Sequence, residues 1–63
     1  MALNLISIGK RIKTLRRRRG LSQMTLSEMV DCSPTYISYI ENGYKSMSLE
    51  TFVEIVNALN STA

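Results

Sequence analysis

The sequence predicts an all-α fold, a compact bundle of four short helices, on three observations. Apolar residues recur at helical spacing in four stretches, and a helix-capping residue precedes each stretch. No stretch alternates with period two for long enough to make a strand. The Asn42-Gly43 pair has no β-branched runs around it and follows a helical stretch, so it reads as a helix stop and not a hairpin turn.

The first helix starts at Asn4 or Ser7, both suitable N-caps, and runs to about Arg19. Ile8, Ile12 and Leu15 form its apolar stripe, with Leu5 extending it if the helix starts early. Gly20 is placed to take the left-handed conformation after the last turn, and Arg16 to Arg19 suit the negative end of the helix dipole. The second helix is capped by Ser22, runs to about Val30, and buries Leu26 and Val30. The third is capped by Ser33, with Pro34 in the first turn, where its missing N–H costs nothing. The fourth is capped by Ser48 and runs to about Leu59. Leu49, Phe52, Val53, Val56 and Leu59 are its expected buried face, with Ile55 on the margin.

Residues 1–63 are too few for more than one domain, and a chain this short buries only about 60% of its unfolded surface. Its hydrophobic content of 44% is ordinary for a globular protein and argues against disorder. No apolar run approaches the roughly 18–20 residues of a membrane span, and no signal peptide is apparent. Cys32 is the single cysteine and there is no histidine, so an internal disulfide and a zinc finger are both excluded. That cysteine use fits a cytoplasmic protein, and Cys32 reads as a small hydrophobe in a turn. Without histidine, a phosphate-binding glycine loop or paired carboxylates, an enzyme is the least favoured class, and no cofactor or metal is expected.

Charge points to a partner. Lys10, Arg11, Lys13, Arg16, Arg17, Arg18 and Arg19 fall within ten positions, whereas the acids are scattered; the net charge is +3. Such a field favours a polyanion, nucleic acid before an anionic membrane, and a merely solvated helix face is the bland alternative.

Residues 23–42 hold two helical patterns separated by Asp31-Cys32-Ser33. So short a join throws the second helix across the first and projects one face outward, the geometry of a helix-turn-helix DNA reader. On that helix Ile37 and Ile40 share the inner side. Thr35, Ser38, Tyr39 and Asn42 lie opposite, Pro34 lies at the edge, and Tyr36 lies on the boundary. The outer arc therefore lacks the Lys, Glu and Arg of an ordinary solvated face. Uncharged hydrogen-bonding and aromatic groups suit base edges and thymine methyls in a major groove; a protein-contact face is the competing reading. Arg17, from the basic cluster, is taken as a phosphate contact.

Four segments carry a resemblance: IGKRIKTLRRRRGLSQ, LSEMVDCS, TYISYIENG and SLETFVEIVNAL. In this order and unbroken spacing they resemble the Cro/phage-repressor type of helix-turn-helix domain, lambda-repressor-like in fold, from Ile8 to Leu59. The resemblance implies a DNA-binding domain that dimerises on a near-palindromic operator. By position it implies base contacts from Pro34, Thr35, Tyr36, Ser38 and Tyr39. Phosphate contacts are implied from Gln23, Ser33, Asn42, Tyr44 and Lys45, and a partly buried ion pair between Arg16 and Glu41.

Three departures stand out. The turn residue usually glycine is Asp31, which tolerates the left-handed conformation. Pro34 stands where the family often has a hydrogen-bonding or basic side chain, and offers only apolar contact. The family usually adds a fifth helix, which would begin where this sequence ends, implying a minimal member or a fragment. The function expected is a sequence-specific double-stranded DNA-binding transcriptional regulator, a repressor. The rivals are a protein-interaction or antitoxin-like module of the same fold and, less favoured, a membrane-surface peptide.

Overall fold

The structure, a computed structural model, describes residues 4–61. Four helices occupy them: α1 (Leu5–Arg18), α2 (Gln23–Met29), α3 (Pro34–Glu41) and α4 (Leu49–Ser61), with no strand among the described residues. The all-α expectation holds. Helix α2 stops one residue short of the expected end, and Val30 becomes its C-cap.

Each helix starts on the same device. Asn4, Ser22, Ser33 and Ser48 accept the backbone N–H three residues on, from Ser7, Thr25, Tyr36 and Thr51, at 3.0–3.1 Å. A cap of this kind satisfies one otherwise orphaned donor and is worth about 1 kcal/mol.

The helix ends are equally local. After α1, Gly20 takes φ +71° and after α3 Gly43 takes φ +75°. At α3 the Gly43 N–H donates to Ile40 O at 3.1 Å and the Tyr44 N–H to Tyr39 O at 2.9 Å. That pair of bonds is a Schellman cap, and α1 repeats it with Gly20 to Arg17 and Leu21 to Arg16. Asp31 fills the left-handed position after α2 at φ +57°, and the Cys32 N–H reaches back to Ser27 O at 3.0 Å.

Helix α3 packs on both α1 and α2, and α4 packs on α2. The core is Ile12, Leu26, Val30, Ile37, Ile40, Ile55, Ala58 and Leu59, edged by Ile8, Leu15, Leu21, Cys32, Tyr36 and Met47. At the crossing of α1 and α3 the backbones nearly touch. A Cβ at Gly9 would fall on the Ile40 carbonyl oxygen and lie 2.7 Å from that of Glu41.

The face expected for α4 is corrected. Ile55 is wholly buried and Ala58 and Leu59 nearly so, whereas Leu49 is 78% exposed and Val53 47%. Phe52 and Val56 are also counted among the exposed large hydrophobics. The helix carries apolar residues at 49, 52, 53, 55, 56, 58 and 59, almost all the way round. Its own periodicity cannot choose among faces, so packing against the other helices decides. Ile55→Ala should therefore cost about 2–5 kcal/mol in urea denaturation, and Val53→Ala no more than about 0.5 kcal/mol. The reverse ranking would restore the original face.

Candidate nucleic-acid interface

Ile37 and Ile40 anchor α3 in the core, and Glu41 beside them is also buried. That orientation turns Pro34, Thr35, Tyr39 and Asn42 outward, with Tyr36 and Ser38 half-buried at the margins. Ser38 and Tyr39 follow Thr35 by three and four residues and precede Asn42 by four and three, so the four share one strip of surface. Ser33 lies exposed at the start of the helix, where its hydroxyl accepts the Tyr36 N–H. Asn42 turns its amide back on the helix, donating from Nδ2 to Ser38 O at 2.8 Å. No acidic side chain belongs to the strip.

Beyond the Schellman cap the chain sets three side chains side by side. The Tyr39 and Tyr44 rings lie 6.3 Å apart at 58°, and Lys45 Nζ stands 5.5 Å from the centre of the Tyr39 ring. Tyr44 is 76% exposed, the most solvent-facing aromatic of the strip.

The strip is held in place by a buried polar cluster. Arg16 Nε donates to Glu41 Oε2 at 2.6 Å and Arg16 Nη2 to Glu41 Oε1 at 3.1 Å, a two-pronged ion pair between α1 and the end of α3. Arg16 Nη1 also donates to Leu21 O at 2.8 Å, and Gln23 Nε2 to Glu41 Oε1 at 3.0 Å. Both carboxylate oxygens are thus satisfied, and no buried side-chain nitrogen or oxygen among the described residues lacks a partner. Gln23, named from sequence only as a phosphate-facing residue, is half-buried and ties α2 to this pair. Its role in the cluster has no sequence signal beyond its place at the start of α2.

The basic residues clustered in sequence are not all surface charges. Arg16 is internal. Lys10, Lys13 and Arg17 share a flank of α1 by their spacing, and Lys13 lies beside the Gly9–Arg16 strip that meets α3. Lys10, Arg11 and Arg18 line a shallow depression with Ser7, Thr14 and Leu15. Lys13 is the surface cation that helical spacing sets next to the crossing of α1 and α3.

The surroundings of Cys32 favour its neutral thiol. Burial pushes it above its usual pKa, and the charges of Asp31 and Glu54 push the same way, so the thiolate is disfavoured. Among the described residues no group of His, Cys, Asp or Glu could hold a metal ion, and no helix is long and apolar enough to cross a membrane.

A family model described as "Helix-turn-helix" matches residues 12–63. The HTH-type transcriptional regulator RamB of Mycobacterium tuberculosis is 30% identical over 56 residues, which are 89% of this chain and 12% of RamB. The immunity repressor protein of Bacillus phage phi105 is 35% identical over 54 residues, 86% of this chain and 38% of the repressor. The chain thus spans well under half the length of these two relatives. Among solved structures, the restriction-modification controller protein C.AhdI from Aeromonas hydrophila superimposes with a TM-score of 0.87 at 32% identity. That match covers 89% of this chain and 85% of C.AhdI. With the short join between α2 and α3 and the outward strip of α3, these matches show that the chain belongs to the helix-turn-helix family, of the Cro/phage-repressor type.

Proposed function

We propose that the chain binds double-stranded DNA sequence-specifically and regulates transcription as a repressor, with α3 in the major groove. The observation that carries this is the outer strip of α3. Ile37, Ile40 and Glu41 point inward, and the outward side chains are the uncharged hydrogen-bonding and aromatic groups that base edges accept. Thr35, Tyr39, Ser38, Tyr36 and Pro34 are the base-facing set. Gln23, Ser33, Asn42, Tyr44, Lys45 and Arg17 are the phosphate-facing set, to which Lys13 is added. The kinship with a phage immunity repressor supports repression.

A homodimer on a near-palindromic operator is part of the same reading. Leu49, Phe52, Val53 and Val56 leave an apolar face on α4, and a groove of about 410 Å³ runs between it and Ile8, Ile12 and Leu15 of α1. Apolar surface of that kind marks interaction sites. On this reading the chain acts in the cytoplasm of a bacterial or phage-infected cell, the kind of source its relatives come from.

Selection from random duplex DNA tests the proposal directly and should return one preferred, near-palindromic sequence. On that sequence, affinity should fall with salt by about 0.9 log units per phosphate contact for each log unit of salt. Thr35→Ala and Tyr39→Ala should each relax preference at particular base pairs by roughly 1–3 kcal/mol while the fold persists. Variants that bind every duplex as the parent does would remove α3 as the reader and favour a protein partner for the same strip.

A further inference from the structure

We propose that Lys45 is a positioning residue for Tyr39, so that one side chain couples base reading to strand contact. The inference rests on α3 being the DNA reader and goes beyond the phosphate role suggested by position alone.

The coupling begins in the backbone. The Schellman cap at Gly43 fixes the direction in which the chain leaves α3, and the Tyr44 N–H is bonded to the carbonyl of Tyr39 itself. Gly43 has little freedom to change. Its φ is +75°, and a Cβ there would lie 2.8 Å from Cγ1 of Ile6 and 3.0 Å from its Cα. The exit is therefore rigid, and it delivers Tyr44 and Lys45 to one side of Tyr39.

At 5.5 Å from the ring centre, the Lys45 ammonium lies within the range where a cation is attracted to the ring face. Among the described residues no carboxylate holds it instead: the acid of this end of α3, Glu41, is buried and engaged by Arg16 and Gln23. Tyr44, tilted at 58° to Tyr39, flanks the same ring. Tyr39 is 39% exposed, and the Lys45 ammonium and the Tyr44 ring both bear on its orientation. An ammonium carries three donors. It can stay over the ring while donating to a phosphate oxygen, so the phenol and the strand are engaged together.

The test uses the intact chain, its selected duplex and every single-base variant of that duplex. Lys45→Met keeps the stem and removes the charge, Lys45→Arg keeps a cation that stacks on rings, and Tyr39→Leu removes the ring. We expect Lys45→Met to lower discrimination about fivefold at the same base pairs that Tyr39→Leu relaxes. Lys45→Arg should retain it. In the Tyr39→Leu background, Lys45→Met should lower affinity for all duplexes equally. Without DNA, Lys45→Met should shift the Tyr39 ring proton resonances while the melting temperature stays at the parent value. Uniform weakening of every duplex by Lys45→Met in the parent background, or unmoved ring resonances, overturns the coupling and leaves the DNA reader standing. A parent chain that selects no duplex overturns both.

Discussion

Arg16→Ala is expected to destabilise the protein by about 3–5 kcal/mol, because it strands the Glu41 carboxylate in the interior with only Gln23 as partner. A chain of 63 residues has on the order of 3–9 kcal/mol in all, so the variant should lose at least about a third of its stability. Arg18→Ala is the control. Its side chain is exposed, and the change should cost under about 0.5 kcal/mol. The double variant Arg16→Met, Glu41→Leu should recover much of the loss, since replacing a buried pair by apolar groups is often neutral while breaking it on one side is not. Urea denaturation of the four proteins measures all three effects. Equal stability of the Arg16 and Arg18 variants would return Arg16 to the surface cations.

Gly9→Ala should also be damaging, against the usual expectation for a glycine inside a helix. On propensity alone the substitution would stabilise α1 by about 0.5–1 kcal/mol. Here the added methyl meets the carbonyl oxygens of Ile40 and Glu41, which are backbone atoms and cannot swing aside. Overpacking of this kind costs about 1–3 kcal/mol or more, so a net loss of roughly 2 kcal/mol is expected, with an α3 displaced from α1. Gly20→Ala provides the contrast: nothing lies within 4 Å of its Cβ position, and only the left-handed φ is penalised, by roughly 1–2 kcal/mol. A Gly9→Ala variant more stable than the parent would show that the helices separate freely.

Local signals in the sequence carried most of the architecture. Asn4, Ser22, Ser33 and Ser48 could be recognised as caps because the bond each makes spans only three residues. Gly20 and Asp31 could be assigned their left-handed conformation for the same reason. The outer strip of α3 was legible because Ile37 and Ile40 leave only one arc free. Three features depended on distant parts of the chain and were not legible. The face α4 buries is chosen by its neighbours, since its apolar residues nearly encircle it. Gly9 reads as a blemish in a helix until the end of α3 is set against it. The bond from Gln23 to Glu41 requires that α1, α2 and α3 already meet.

The division of labour within α3 has an evolutionary consequence. Of its eight residues only Ile37, Ile40 and Glu41 are buried. Folding thus places few demands on Pro34, Thr35 and Tyr39; if α3 reads DNA as proposed, a lineage can exchange one DNA address for another by substituting them without passing through an unstable ancestor. Glu41 is the opposite case. It sits on the same short helix, yet a change there must be answered at Arg16 on another helix, so drift at that position is held back by the need for two mutations at once.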